Sequence, residues 1–479
     1  MQQLTGLDAA FLALDSATAY GHVGSVSVLD PPAGGQALSL ERLTELIECR
    51  LHLVPPFRRR LVEVPFGLDQ PYWIEDPDFD IEFHVRELAL PAPGDDRQLA
   101  VQAARLHARP LDRRRPLWET YLIHGLRGGR QALYTKVHHA AIDGVSGNDL
   151  LAALMDTSPQ PREADEPDPW RPEAEPGAAQ LLARSAVSLA THPGRAARVS
   201  AGIARSLPTL ASSPARPGLP LIDRFVLRRG RGVVLSAPPL IAPATPFNKN
   251  IGPHRRWAFG SVPLAEVKAI KNAAGVTVND VVMALCAGAL RTWLQKHDAL
   301  PDGPLVAAVP VSIRTEEQKD THGNRVSSVI AAIPTHLADP AERLAAVHEA
   351  MRAAKEQHNA LPAELLTDIA QFSVPALANQ ANRLATRLRL LERVPPFNLF
   401  ISNVPGPTVD LYLCGARLDG VYPLSAIANG QGLNLTVLGS NGKLNFGALA
   451  DRDLVPDVDL IIDGIKDEVA VLSDVVGVG

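Results

Sequence analysis

The sequence predicts an α/β protein of two lobes with mixed sheets, and three observations carry that prediction. Helical and strand periodicities alternate through both halves, and hairpin signals join some of the strands, unlike a doubly wound parallel sheet. A proline- and acid-rich stretch, 158-SPQPREADEPDPWRPEAEP-176, separates the halves. The chain's 479 residues are also too many for one ordinary core.

In 39-SLERLTELIECRLHLVPP-56 the residues Leu40, Leu43, Leu46, Ile47, Leu51 and Val54 recur at helical spacing. Ser39 is placed as N-cap and Pro55-Pro56 as the stop. Next, 117-LWETYLIHGL-126 and 131-QALYTKVHH-139 read as strands joined by Arg127-Gly128-Gly129-Arg130. Ser146 and Asp149 then form a capping pattern ahead of a further helix, so 138-HHAAIDG-144 sits on a strand-loop-helix junction. Residues 1–157 thus form a first lobe, and 158–244 a linker and connector. Within that connector, 181–240 carry nine arginines, no lysine and one acid, Asp223. The arginine-rich part, with weak amphipathic helices such as 179–190, reads either as a solvated connector or as a peripheral surface for anionic membrane.

The second lobe is set at 245–479. Helices are expected at 264–275 and 276–294, and a strand at 305–313. A strand and turn follow at 398–407, then a hairpin at 433–450 turning on Asn441-Gly442, and a last helix at 457–472. No glycine-rich phosphate loop is present. A net charge of -5 gives no reason to expect nucleic acid as partner. Cys49, Cys286 and Cys414 fit neither a disulfide framework nor a zinc pattern, which points to a reducing compartment. With no secretory n- and h-region and no long uncharged apolar run, the expected location is the cytoplasm.

The chemistry concentrates in the two histidines. Adjacent strand residues face opposite ways, so His138 and His139 do not readily share a metal ion, and none is expected. No nucleophile elbow or catalytic cysteine context accompanies them. General-base work by one imidazole remains, since a reference pKa of about 6.5 suits deprotonation of a hydroxyl near neutral pH. Strand parity groups His139 with Leu133, Thr135 and Val137, the more apolar set, and so ranks it as the inward group. Asp143 either orients that imidazole or anchors the loop through an arginine, and Gly144 frees the backbone there. Read alone, the pair is equally an ordinary polar strand end.

HHAAIDG matches the HHxxxDG motif of the CoA-dependent acyltransferase superfamily. More narrowly, the chain resembles the bacterial wax ester synthase/diacylglycerol acyltransferase family. The resemblance runs through 5-TGLDAAFLALD-15, 116-PLWE-119, 245-TPFNKNIGPHRR-256, 279-ND-280, 310-PVSIR-314, 323-GNRVS-327, 402-SNVPGP-407 and 430-GQGLNLTVLGS-440. Two departures are the acidic-proline insert and Phe247, where Leu is expected. The resemblance implies two chloramphenicol-acetyltransferase-like lobes with the active site in a tunnel between them. Acyl-CoA serves as substrate and no cofactor is implied. The acceptor implied is diacylglycerol or a long-chain alcohol, and such water-insoluble acceptors fit the reading of the arginine-rich region as a peripheral membrane or lipid-droplet surface.

On this resemblance His139 is the general base, the acceptor attacks the thioester directly, and His138 supports. Asp143 is structural, with Arg314 as its expected partner. Asn279 is either part of a helix start or a polar group near the reacting oxygen. Asp280 is structural, and Pro116, Leu117 and Trp118 pack behind the active-site strand. Asn403, Pro405 and Gly406 shape the tunnel. The rival readings are an acyltransferase using a carrier-protein thioester and a silent lipid-binding protein on the same fold.

Overall fold

The computed structural model describes residues 1–31, 36–141, 152–162, 170–191, 242–312, 326–359 and 395–478. Asp143, Gly144 and Arg314, the Ser146/Asp149 cap and residues 192–240 of the arginine-rich segment lie outside the described residues.

The strands of the first half are β1 (Gln2–Gln3), β2 (His22–Leu29), β3 (Arg59–Val62), β4 (Tyr72–Glu75), β5 (Val85–Ala89), β6 (Trp118–His124) and β7 (Gln131–His138). Those of the second are β8 (Arg255–Pro263), β9 (Leu305–Ser312), β10 (Val326–Ile333), β11 (Leu399–Val404), β12 (Tyr412–Leu413), β13 (Ala416–Leu424), β14 (Leu433–Ser440) and β15 (Lys443–Asp451). They make two six-stranded sheets, ordered β12-β13-β2-β7-β6-β5 and β10-β9-β11-β14-β15-β8, and a small sheet β1-β4-β3. Both large sheets are mixed. β5 runs parallel to β6, and β11 runs parallel to both β9 and β14, while the other pairs are antiparallel.

The expected division at residues 244 and 245 does not hold strand by strand. β12 and β13 come from the second half yet complete the first sheet, with β13 pairing antiparallel with β2. Asp156 and Tyr412 exchange two backbone hydrogen bonds of 2.8 Å beside this crossover. The reason is non-local pairing: a strand that buries Leu418, Val421 and Leu424 can be recruited from any distance along the chain.

Local signals explain most elements. Helix α1 is Gly6–Ala13, capped by Thr5. α2 (Leu40–Arg50) starts where expected, with Ser39 accepting from the Arg42 amide, but ends before Pro55-Pro56, as a short 3₁₀ turn intervenes. α3 (Ile81–His84) and α4 (Asp96–His107) follow, then α5 (Ala178–Thr191) after the linker. In the second half lie α6 (Leu264–Ala274), α7 (Val278–Lys296), α8 (Pro340–Asn359) and α9 (Asp459–Val476). α7 opens with a reciprocal capping box between Thr277 and Asp280. It is apolar all round because α6, α8 and α9 pack about it. Asn441 and Gly442 turn the β14–β15 hairpin with φ of 49° and 69°, the left-handed geometry a two-residue hairpin requires. No single helix among the described residues is long and apolar enough to cross a membrane.

One apolar cluster lies wholly in the second half, a second joins first-half residues such as Leu43 and Leu122 to Leu413, Leu418 and Val421 around the crossover, and a third joins Val26, Tyr121 and Tyr134 to Trp257, Tyr422 and Leu449. α4 of the first half packs on β8 of the second. Arg255 of the 245–256 motif supplies a polar tie across this contact. Arg255 donates to the Thr18 carbonyl and, at 2.7 Å, to that of Gly252. Asn248 donates to the Asn398 and Gly430 carbonyls at 2.9 and 2.7 Å and accepts from Asn398, so two distant segments converge on it. Phe247 is fully buried in the second core, near Trp293.

Candidate active site

β7 ends at His138, which stands opposite His22 of β2, and His139 opens the single turn His139–Ala141. The β2–β7 ladder extends one residue further. The His139 amide donates to the Gly21 carbonyl at 2.9 Å, and the His138 amide to Leu117 at 2.9 Å. The two histidine backbones are therefore held from both sides.

Their side chains differ sharply. Phe11 of α1 stacks on the His139 ring, centroids 4.0 Å apart and planes within 14°. Burial drives the pKa of His139 down to about 4; the residue's own carbonyl opposes this and neighbouring His138 adds to it. The imidazole is therefore uncharged at neutral pH, the form that accepts a proton. His138 is 2% exposed and both its ring nitrogens are occupied. Nδ1 accepts from the Ala140 amide at 3.1 Å, and Nε2 lies 3.3 Å from Asp15 Oδ1. A ring so engaged has no lone pair left to offer a metal ion. Among the described residues no group of three His, Cys, Asp or Glu side chains is placed to hold one.

Strand parity does not separate these two roles, contrary to expectation. Every residue of β7 is buried, so neither face of the strand is a solvent face. Tyr134 and Lys136 lie in a polar network instead. Lys136 reaches Glu119 at 3.2 Å, Glu119 accepts from Tyr121 at 3.1 Å, and Tyr134 meets His107 at 3.0 Å. Burial lowers the pKa of Lys136, opposed by Glu119. His139 is set apart because it lies beyond the strand end, where the chain turns.

Pro116, Leu117 and Trp118 are buried behind this strand. Trp118 donates to the Phe57 carbonyl at 2.8 Å and is stacked between Phe57 and His84, at 4.4 and 4.5 Å. Across the molecule, Asn403 Nδ2 donates to Asn279 Oδ1 at 3.3 Å, so these two candidates meet. Asp280 faces away from that pair. It closes the α7 cap and accepts from His348 Nδ1 at 2.8 Å.

Gly406 sits where a Cβ would fall 2.0 Å from the Gly439 carbonyl oxygen, so no other residue fits without moving β14. The turn from Gly406 to Val409 faces residues 152–162 across a cavity of about 670 Å³, which Asp156 and Arg162 also line. Neither His139 nor Asn403 nor Pro405 is among its lining residues.

Phe11, Asp15 and Gly21 contact the histidine pair without having been singled out in the sequence. They lie more than 115 positions upstream, where no local periodicity can connect them to the motif. The one available signal is that 5-TGLDAAFLALD-15 belongs to the shared pattern, and it contains Phe11 and Asp15.

A family model described as the wax ester synthase/diacylglycerol acyltransferase catalytic domain matches residues 4–282, and its C-terminal companion matches 322–473. A protein of Mycobacterium tuberculosis H37Rv, provisionally named a diacylglycerol O-acyltransferase, is 40% identical over 479 residues, covering 99% of this chain and all of that one. A second from that strain, also named a diacylglycerol O-acyltransferase, is 38% identical over 98% of both chains. Among solved structures, the wax ester synthase/diacylglycerol acyltransferase of Marinobacter aquaeolei VT8 is similar with a TM-score of 0.70 and 30% identity, over 99% of this chain and 100% of that one. A trichothecene 15-O-acetyltransferase of Fusarium sporotrichioides shares the fold at a TM-score of 0.58 and 11% identity, covering 98% of this chain and 94% of that one. The chain belongs to the wax ester synthase/diacylglycerol acyltransferase family and is an O-acyltransferase.

Proposed function

We propose that the protein transfers a long-chain acyl group from acyl-CoA to the hydroxyl of diacylglycerol or of a long-chain alcohol, with His139 as general base. The observation that carries the reading is the His139 imidazole, shielded by Phe11 and held uncharged at neutral pH. His139 takes the acceptor's hydroxyl proton as the oxygen attacks the thioester carbonyl. The tetrahedral adduct then collapses, the carbon–sulfur bond breaks, and the thiolate leaves with the proton returned from His139. The products are an ester and free CoA, with no acyl-enzyme. A base so placed contributes on the order of 10²–10⁴-fold, and holding both substrates in line supplies much of the remainder.

Asn279 is assigned to the oxygen that gains charge in the adduct, at the α7 N-terminus where negative charge is favoured. Asn403 orients it, supported by their hydrogen bond. Pro405 and Gly406 shape the wall of a tunnel between the lobes. Asp143 and Arg314 are assigned to steadying the motif loop. The arginine-rich connector meets the anionic surface that presents the lipid acceptor.

Purified protein supplied with labelled acyl-CoA, and with diacylglycerol or a long-chain alcohol in separate reactions, should form labelled triacylglycerol or wax ester. Label released only as free fatty acid, with either acceptor, would sink the reading.

A further inference from the structure

We propose that Asp15 is a positioning residue for acyl transfer, acting through His138 on the backbone turn that presents His139. The proposal rests on His139 being the general base.

Asp15 follows α1 and is tied on several sides. Its Oδ1 accepts from the Gly21 amide at 2.6 Å and faces His138 Nε2 at 3.3 Å. Its Oδ2 pairs with Arg113 at 3.0 Å, and the same guanidinium holds the Leu12 carbonyl at 2.6 Å. Burial would raise the Asp15 carboxyl, but His138, the Gly21 amide and Arg113 together hold it below the ordinary carboxylate range.

The Ala140 amide sets the direction of the link. It donates to His138 Nδ1, so that nitrogen carries no proton, and the proton sits on Nε2 facing Asp15. The peptide groups on both sides of His139 are then fixed. Its own amide is held by Gly21, whose amide is held by Asp15; the next amide is held by His138, whose ring is held by Asp15. Gly21 fits because nothing larger does. A Cβ there would stand 2.9 Å from the Phe11 carbonyl oxygen and 3.0 Å from His138 Nε2. One carboxylate therefore governs both routes to the turn, and a misplacement of the base by about 1 Å costs on the order of 100-fold in rate.

The test compares Asp15→Asn, His138→Ala, His138→Asn, His138→Gln and the Asp15→Asn/His138→Ala double variant, measuring kcat, KM and Tm for each. Asp15→Asn should lower kcat by about 10- to 100-fold with KM little changed. His138→Asn keeps an acceptor for the Ala140 amide, so it should retain more kcat than His138→Ala. His138→Gln reaches toward Asp15 but loses that acceptor, and should be no better than His138→Ala. The double variant should be no slower than the slower single variant, because the His138 route is one of the two that Asp15 already governs. Multiplying losses, or an Asp15→Asn enzyme with wild-type kcat and only a lower Tm, overturns the proposal.

Histidine labelled with ¹⁵N in the wild-type protein gives a second readout that no folding defect can obscure. The His138 signal, assigned by its loss in His138→Gln, should show a proton on Nε2 and none on Nδ1. The opposite tautomer overturns the link. A His139→Ala enzyme with wild-type kcat would fell the general-base reading instead, while leaving the tautomer result intact.

Discussion

Phe11 lies flat against His139, ring centroids 4.0 Å apart, and so shields one face of the imidazole from water. Burial is the main cause of that ring's pKa of about 4. The active form is the uncharged one, so kcat/KM should be level above about pH 5 and fall as pH drops through about 4. Phe11→Ala admits water and relieves the desolvation, moving the acid limb up toward the reference value of about 6.5. A pH profile of kcat/KM for the two enzymes checks this; an unmoved limb would show that Phe11 does not set the base's environment.

Asn279 and Asn403 should behave as a unit with unequal members. Asn279→Ala removes the group assigned to the reacting oxygen and should lower kcat by about 10²–10³-fold. Asn403→Ala removes only its partner, and the loss should be smaller. In the double variant the Asn403 substitution should add little. Equal, independent losses would mean that Asn403 has its own contact with substrate.

Arg255 ties the second lobe to the Thr18 carbonyl of the first while also holding Gly252. Arg255→Ala takes the donor from two part-buried carbonyls and should lower stability by about 1–3 kcal/mol. Arg255→Lys should recover part of that at most, because an ammonium cannot span the same fork. Denaturant unfolding of both variants measures it, and a loss below about 0.5 kcal/mol, within the range of an ordinary surface substitution, would deny the tie a structural role.

His84 and His107 have pKa values pushed down by burial to about 4 and about 3. The unfolded chain, titrating near 6.5, binds protons that the folded chain refuses. Stability is therefore complete above about pH 6.5 and declines as pH falls toward 4, by up to about 2 kcal/mol per histidine at pH 5. Urea midpoints at pH 7.5 and 5.0 should fall in that order, and equal midpoints would contradict the assigned burial.

The elements with local signals were legible in the sequence: the Ser39 cap, the Asn441-Gly442 turn, the β6–β7 hairpin. What depended on distant pairing was not. Nothing near Ala416 announces that its strand completes the sheet of β2, because the pattern of a buried strand does not name its neighbour. The Asn403–Asn279 contact spans 124 positions and Asp15–His138 spans 123, beyond any periodicity. Parity failed at β7 for a related reason: it presumes one wet face, and both faces of that strand are covered. His139 was found through its motif, whereas Phe11 and Asp15 emerged only when the fold brought the N-terminus to the strand end.

The most direct measurement is the kcat of His139→Ala in the acyl-CoA assay, taken beside that of His138→Ala. A fall of at least about 100-fold for His139→Ala, with an unchanged unfolding midpoint and a smaller fall for His138→Ala, is the predicted result. A His139→Ala enzyme within tenfold of wild type, or one no slower than His138→Ala, would contradict it.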